Sequence, residues 1–150
     1  ENGNYLNSLF KDVAGIDYQE MHHHNDKHVY FTYQARYHKE HFNNLSQGQV
    51  IKALQAEGIP CTTGYRDSLH DQEYLRSTLA SPAFKVYYTK ERLEKYWKEN
   101  QCPENEKLCS MGLWFRGPMF LGTKSDMDSI VEAIEKVRAH SETIKARLEA

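Results

Sequence analysis

The sequence predicts an α+β fold in which helices cover a small β-sheet. Segments with the apolar spacing of an amphipathic helix and segments with the alternation of a half-buried strand follow one another along the chain. Their order is helix, strand, helix, strand, an irregular segment, helix, strand and helix. A length of 150 residues suits one ordinary domain with a hydrophobic core.

The first helix and the first strand are predicted from two different periods. Gly15 is a typical C-terminal stop for the helix. The helical apolar residues before it are Tyr5, Leu6, Leu9, Phe10 and Val13. The segment Asp17–Lys27 is polar and is expected to be irregular. The next segment, Val29–Tyr37, alternates with a period of two residues and is rich in aromatic side chains, so it predicts a half-buried strand.

A second helix is predicted to begin at Ser46 and to end at Gly58. Ser46 and Gln49 have the spacing of a capping box. The buried face of this helix is expected to contain Val50, Ile51, Ala53 and Leu54. A short strand over Ile59–Thr63 follows.

The segment from Arg66 to Gln101 has only weak patterns. Helical turns are expected near Gln72–Thr78 and over Lys90–Lys98. Pro103 is expected to be the first residue of a helix that runs to Gly112, because proline is well tolerated at that position.

The last part of the chain contains a strand and the strongest helix. Leu113–Phe115 and Met119–Leu121 are short apolar runs that Gly117 and Pro118 separate. Thr123 or Ser125 is the expected N-cap of the final helix. Its apolar residues are Met127, Ile130, Val131, Ile134 and Val137. A helix between successive strands permits parallel pairing, and a mixed sheet is equally compatible with this order.

Composition excludes several functional classes. The 19 basic and 21 acidic residues give a formal net charge of −2, so no basic surplus is available to bind a nucleic-acid backbone. No window approaches the roughly 18 apolar residues of a membrane helix, and no signal peptide is recognisable. Three cysteines without a pairing pattern (Cys61, Cys102 and Cys109) indicate reduced thiols in a cytoplasmic protein.

Several segments occur in the order typical of one enzyme family. They are Asn4–Leu6 with Val13–Ile16, Val29–Tyr37 preceded by His28, Ala53–Cys61, Ser81–Phe84 and Cys102–Leu108. Together they resemble the C-terminal small domain of DegT/StrS-type sugar aminotransferases, which are pyridoxal phosphate (PLP) enzymes of fold type I. The resemblance implies an α+β domain with a small mixed or antiparallel sheet covered by helices.

The resemblance also implies that residues 1–150 are a single domain of a larger enzyme. It places PLP mainly in a large domain outside this chain, and no lysine here lies in a recognisable cofactor motif. The chain opens with Glu1 and enters a helical pattern at once, so we expect a domain boundary there. We therefore expect this chain alone to be inactive. The intact enzyme is expected to be a homodimer with glutamine or glutamate as the amino donor.

Two departures from the family pattern concern the substrate. Gly64 and Tyr65 stand where many members have a His-Tyr pair, and Leu113–Pro118 stands where many have a Leu-Pro-x-(Tyr or His)-Pro motif. Both versions are similar to the branch that aminates cyclitol ketones of the scyllo-inosose type. The resemblance thus implies a keto-sugar or cyclitol ketone as the amino acceptor.

The role that the resemblance implies for this domain is a lid that closes over the substrate and excludes water. The residues expected to contact the substrate are Tyr65, Arg66, His70, Trp114 and Arg116, and none is expected to be catalytic. Their phenol, indole and guanidinium groups can pack against and hydrogen-bond a polyol ring or a carboxylate. The competing interpretation is core packing for Tyr65 and Trp114 and a solvated surface for the other three.

The histidines His22–His24 support an alternative from a different class, a non-catalytic binding module of the same fold that holds a metal ion in this loop. Imidazoles beside a carboxylate such as Asp26 can bind zinc or nickel. Consecutive histidines in a flexible loop have no fixed coordination geometry, however, so no specific metal site is expected.

The chain is also rich in aromatic residues, with ten tyrosines and two tryptophans. They indicate either a thick aromatic core or an interface with the large domain or a second subunit.

Overall fold

A computed structural model of the protein describes residues 1–149, and it describes the side chains of residues 1–147. The chain forms two compact units. The sheet unit consists of Glu1–Gly64 together with the chain from Met111 onward, and the helical unit consists of Tyr65–Ser110.

The secondary structure alternates between helices and short strands. The described strands, all in the sheet unit, are β1 (Ile16–Tyr18), β2 (Thr32–Tyr37), β3 (Cys61–Thr62) and β4 (Gly112–Arg116). The described α-helices are α1 (Asn2–Phe10), α2 (Gln47–Ala56), α3 (Glu73–Leu79), α4 (Pro82–Lys85), α5 (Lys90–Glu99), α6 (Pro103–Met111), α7 (Lys124–Ala139) and α8 (Ser141–Glu149). Short 3-10 helices span Lys39–Phe42, Leu69–Asp71 and Gly117–Leu121. None of the described helices is long and apolar enough to cross a membrane.

The strands form one antiparallel sheet with the order β1-β2-β4-β3. Ala35 lies opposite Leu113 between β2 and β4, and Cys61 lies opposite Phe115 between β3 and β4. The predicted α+β class with a small antiparallel sheet is therefore confirmed. The parallel pairing that the element order permitted does not occur among the described strands.

One face of this sheet packs against α1, α2 and α7. The alternation in β2 explains which face, because Tyr33, Ala35 and Tyr37 are buried whereas Gln34 and Arg36 are exposed. The helices and β4 complete the core with Leu6, Phe10, Val50, Leu54, Leu113, Phe115, Met127, Ile130 and Ile134. Each such side chain contributes about 1.5–3 kcal/mol on burial, so this layer is the main source of stability.

The helix starts predicted from capping residues are confirmed. The Ser46 hydroxyl accepts a hydrogen bond from the N–H of Gln49, and the Gln49 side chain accepts one from the N–H of Ser46. Thr123 caps α7, and Asp126 completes a second capping box there. These bonds satisfy backbone donors that a helix start otherwise leaves unpaired.

The strand predicted over Val29–Tyr37 begins at Thr32 in the structure, three residues later than its alternation predicts. Val29 and Phe31 are 82% and 91% exposed. The N–H of Phe31 donates to the carbonyl of Val29 (3.2 Å), and this tight turn breaks the two-residue period. Tyr30 packs onto the core instead, with its ring against Gly3 of α1, where a Cβ atom would lie 2.2 Å from the ring.

Strand β1 lies in a segment whose polar residues predict no strand. It has three residues, and only Ile16 is buried, so the segment is too short to show an alternating pattern. It forms because it pairs with the edge of β2. The carbonyl of the preceding Gly15 also accepts a hydrogen bond from the N–H of His38 (2.8 Å). Gly15 has a φ of +81°, a conformation that glycine adopts without steric cost.

The helical unit, all of whose residues are described, has no apolar core of its own. Ser68 is its single buried residue, and the Asn105 side-chain amide donates to the Ser68 hydroxyl (2.8 Å). Arg76 pairs with Asp71 and lies over the Trp97 ring, 4.8 Å from its centroid. The weak helical patterns predicted in this segment correspond to α3 and α5.

Candidate functional site

The candidate site is the open face of the sheet, defined as the face away from α1, α2 and α7. Strand residues that alternate with buried ones point to this face. They are Asp17, Thr32, Gln34, Arg36, Thr62, Trp114 and Arg116. The open face therefore combines an indole with amide, hydroxyl, carboxylate and guanidinium groups.

Antiparallel pairing arranges these side chains in rows across the strands. Gln34, Trp114 and Thr62 form the central row. Thr32 and Arg116 form the next row. Directly opposite residues on one face have Cβ atoms about 4.5–5.5 Å apart. Trp114 is thus flanked by an amide on one side and a hydroxyl on the other.

Gly64 makes room for the indole of Trp114. Gly64 has a φ of +68°, and a Cβ atom there would lie 2.2 Å from Cε2 of the indole. A Cβ atom on Gly112 would lie 3.4 Å from Nε1 of the same ring. Any side chain at position 64 would therefore displace the ring. The indole packs against backbone and remains half-buried, outside the closed core.

Arg116 lies on an open groove beside the edge strand β3. The other residues that line the groove are Gln55, Gly58, Pro60, Cys61 and Thr62. The Gln55 amide donates to the Cys61 carbonyl (2.9 Å), which ties α2 to this edge. The ion pairs found among the described residues do not include Arg116. Its exposed guanidinium can bind a carboxylate or phosphate through two parallel hydrogen bonds.

The second guanidinium of the open face has a carboxylate partner. Oδ2 of Asp17 lies 3.4 Å from the Arg36 guanidinium and 2.8 Å from Nε2 of His38. The side chains are about a third to a half exposed, so each pair stabilises the fold by about 0–1 kcal/mol at most. Arg36 is thus neutralised locally, and Arg116 is the better candidate for an anionic ligand.

Trp114 and Arg116 are the predicted substrate-contacting residues that the fold brings together. They stand two positions apart on β4, so both side chains belong to the open face. Trp114 is absent from the set of buried core residues, which differs from the competing interpretation of simple core packing.

The other predicted contact residues belong to the helical unit. Tyr65 and Arg66 are exposed there. His70 is largely buried, and its Nε2 lies 3.2 Å from Oε1 of Glu106. His70 therefore takes part in the packing of its own unit, and it is not the solvated surface residue of the competing interpretation.

Sequence reasoning did not single out Gln34, Arg36 and Thr62, although they share the open face with Trp114. The alternation of β2 places Gln34 and Arg36 at its polar positions, so the sequence of this strand could have identified both. The partners of β2 could not be derived in the same way, because the register between β2 and β4 is a long-range property of the fold.

Two helix starts of the sheet unit are unsuited to the phosphate of PLP, and none of the described lysines is buried. An anionic phosphate typically binds unpaired N–H groups at a helix start. The starts of α2 and α7 are already closed by their capping boxes. At α7 the bound anion is Asp126, whose pKa is lowered by hydrogen bonds from the backbone and side chain of Thr123. The described lysines are all exposed or half-buried, whereas a reactive lysine is usually desolvated or beside another cation.

Comparison with known proteins identifies one family and several related structures. The model of the DegT/DnrJ/EryC1/StrS aminotransferase family matches residues 1–135. No curated protein matches the sequence. Among solved structures, 3-amino-5-hydroxybenzoic acid (AHBA) synthase is similar, with 17% sequence identity and a TM-score of 0.66. The match covers 93% of this chain and 33% of that one, so this chain spans about a third of the length of AHBA synthase. At this identity the likeness shows a common fold.

Proposed function

This chain belongs to the DegT/DnrJ/EryC1/StrS aminotransferase family, and we propose that it is the C-terminal substrate-capping domain of a PLP-dependent aminotransferase. The proposed amino acceptor is a keto-sugar or cyclitol ketone. The observation that carries this proposal is the position of Trp114 and Arg116 side by side on the open face of the sheet.

The chemistry of the open face suits a polyhydroxylated ring. An indole packs well against the C–H groups of such a ring, while an amide and a hydroxyl can exchange hydrogen bonds with its alcohol groups. Gln34 and Thr62 supply those polar groups in the row that contains Trp114. Arg116 adds a cationic group for a carboxylate or phosphate on the same ligand.

The cofactor is proposed to be bound mainly by a large domain outside this chain. PLP supplies the electron sink that lets an amino group move between an amino acid and a ketone. The closed helix starts of α2 and α7 support this division of labour, as does the lack of a buried lysine among the described residues. The one-third coverage of AHBA synthase also supports it, because such a relative has ample chain for another domain. The chain alone is accordingly proposed to be inactive.

The proposed role of the sheet unit is to orient the acceptor ketone and to exclude water. A rigid sheet positions Trp114 and Arg116 better than a loop would, because neighbouring strands fix their backbone. Water exclusion strengthens polar contacts to the substrate and prevents loss of the reactive intermediate by hydrolysis. Tyr65, Arg66 and His70, which belong to the helical unit, stay proposed substrate contacts. Glutamine or glutamate is the proposed donor, and a homodimer is the proposed assembly.

The cysteines support a reducing compartment. Cys61 is a buried free thiol, and Cys102 is an exposed one. Burial raises the pKa of the Cys61 thiol to about 11, so this group stays protonated and unreactive at neutral pH. A cytoplasmic location is proposed on this basis.

Steady-state kinetics of the intact enzyme test the capping role. Trp114→Ala should lower kcat/KM for the acceptor ketone by roughly 10- to 100-fold, equivalent to about 1.4–2.8 kcal/mol of lost transition-state binding. The half-reaction with the amino donor should change little, because the proposed contact is to the acceptor. Trp97→Phe in the helical unit is a matched control and should leave both half-reactions near their original rates. Equal losses in the two half-reactions of Trp114→Ala would contradict the proposal.

A further inference from the structure

The loop between β1 and β2 contains a turn that gathers three histidines. The N–H of Asn25 donates to the carbonyl of His22 (2.9 Å), and the N–H of His24 donates to Nδ1 of His22 (3.4 Å). The ring centroids of His23 and His24 lie 3.9 Å apart, and those of His22 and His23 lie 4.3 Å apart. The three imidazole rings therefore lie next to one another at this turn.

The distances between the ring nitrogen atoms of this cluster are close to those between the ligands of a metal site. One ligand atom from each of His22, His23 and His24 lies within 4.8 Å of the others, and all three side chains are exposed. Tetrahedral zinc has Zn–N bonds of about 2.0–2.1 Å, which places two ligand nitrogens about 3.4 Å apart. Rotation of exposed side chains can supply the remaining movement of roughly 1.4 Å, because no packed neighbour has to be displaced.

We propose that His22, His23 and His24 bind one divalent transition-metal ion of the zinc class. Neutral imidazole is a favoured ligand for zinc, nickel and copper, whereas magnesium and calcium prefer oxygen ligands. The exposed position gives the ion a direct entry path and leaves room for water at the remaining coordination positions. The proposal stands independently of the aminotransferase function, because no residue of the open face takes part in it.

The turn itself is part of the proposed site. Binding an ion requires the imidazoles to converge, and the hydrogen bond from Asn25 to His22 holds the backbone in the form that brings them together. Preorganised ligands lose less conformational freedom on binding, so they bind more tightly than the same residues in an extended segment. Metal affinity should therefore depend on the turn as well as on the histidine count.

Calorimetric titration of the intact protein with zinc chloride at neutral pH tests the site. We expect one equivalent of zinc per chain, and His23→Ala should weaken its binding by roughly tenfold or more, since even outer-shell changes cost 10- to 100-fold. His140→Ala, which removes an exposed histidine outside the cluster, is the matched control and should leave zinc binding unchanged. Histidine-ring NMR signals should shift on zinc addition only for the three clustered rings.

A second variant tests the turn while it leaves the three histidines in place. Asn25→Pro removes the N–H that closes the turn and keeps all three histidines, so zinc binding should weaken several-fold while circular dichroism confirms an intact fold. Zinc binding equal to that of the unchanged protein would overturn the role of the turn. Absence of saturable zinc binding, equal binding of magnesium, or an equal loss in His140→Ala would overturn the site itself.

Discussion

The sheet unit and the helical unit are stabilised in different ways. The sheet unit buries a continuous apolar layer between the sheet and α1, α2 and α7. The helical unit, described over its whole length, buries only Ser68 and depends on helix caps, ion pairs and ring contacts. Apolar burial contributes roughly 25 cal/mol per Å², whereas an exposed ion pair contributes about 0–1 kcal/mol. The same substitution should therefore cost much more in the sheet unit.

This difference bears on function because binding groups need rigid support. Trp114 and Arg116 alternate along β4 with Leu113 and Phe115, which are fully buried. Their backbone can move only if the core opens, which costs much of the total stability. Tyr65 and Arg66 belong to the helical unit, whose single buried residue is Ser68. We therefore expect the sheet unit to set the position of a ligand and the helical unit to be more adaptable.

A matched pair of leucine truncations tests the comparison with the largest expected effect. Leu113 is 0% exposed in the sheet unit, and Leu108 is 46% exposed in the helical unit. Leu113→Ala should lower the free energy of unfolding by about 2–5 kcal/mol, because it removes buried methyl groups and leaves a cavity. Leu108→Ala should cost less than about 1 kcal/mol. Urea unfolding of the intact protein measures both, and equal costs would break the comparison.

Two glycine substitutions test whether Gly64 sets the position of the Trp114 indole. Gly64 and Gly58 both have positive φ, but a Cβ atom at Gly58 meets nothing within 4 Å. Gly58→Ala should cost about 1–2 kcal/mol of backbone strain alone. Gly64→Ala should add about 1–3 kcal/mol for overpacking and should also move the indole. Tryptophan fluorescence should change in Gly64→Ala and stay constant in Gly58→Ala. An unchanged spectrum in both variants would show that the indole does not depend on Gly64.

A threonine pair gives the smallest expected effect. Thr123 and Thr89 cap α7 and α5 through the same type of side-chain hydrogen bond, one in each unit. Thr123→Ala should lower global stability by about 1 kcal/mol, because α7 is part of the core. Thr89→Ala should instead raise amide hydrogen exchange within α5 and leave global unfolding nearly unchanged. A global loss of equal size in the two variants would contradict the separation of the units.

The same cap predicts a pH effect. Hydrogen bonds from Thr123 lower the pKa of Asp126 below its ordinary value in the folded protein. A lowered pKa means that the stabilisation is fully present above the ordinary aspartate pKa of about 3.9 and is lost as the pH falls through the folded-state pKa. In Asp126→Asn this part of the acid dependence should disappear. An acid unfolding profile identical to that of the unchanged protein would contradict the assignment.

The sequence predicts those parts of the fold whose local signals are strong. The capping-box spacing of Ser46 and Gln49 predicts the start of α2. The apolar period of α7, with Thr123 or Ser125 as its N-cap, predicts that helix, and the structure has Thr123 as the cap. Strand β1 was not predictable, because three residues with one buried side chain show no period. The start of β2 at Thr32, later than predicted, has a different cause. A single turn at Phe31 interrupts the alternation, and the composition of the segment Val29–Tyr37 does not reveal this turn.

The candidate site was only partly predictable for a related reason. Trp114 and Arg116 could be selected from the family resemblance, and their spacing of two residues places both on one strand face. The neighbours Gln34 and Thr62 depend on strand order, which is set by packing between segments far apart in sequence. The requirement for Gly64 beneath the indole appears only once that order is known.

The most direct test of the central claim is a crystal structure of the intact, PLP-loaded protein with an acceptor ketone or its amine product bound. The ligand ring should lie in van der Waals contact with the Trp114 indole, at about 4 Å between heavy atoms. Arg116, Gln34 or Thr62 should supply polar contacts to the same ligand. A ligand bound away from the open face of the sheet, with Trp114 untouched, would contradict the capping role proposed for this domain.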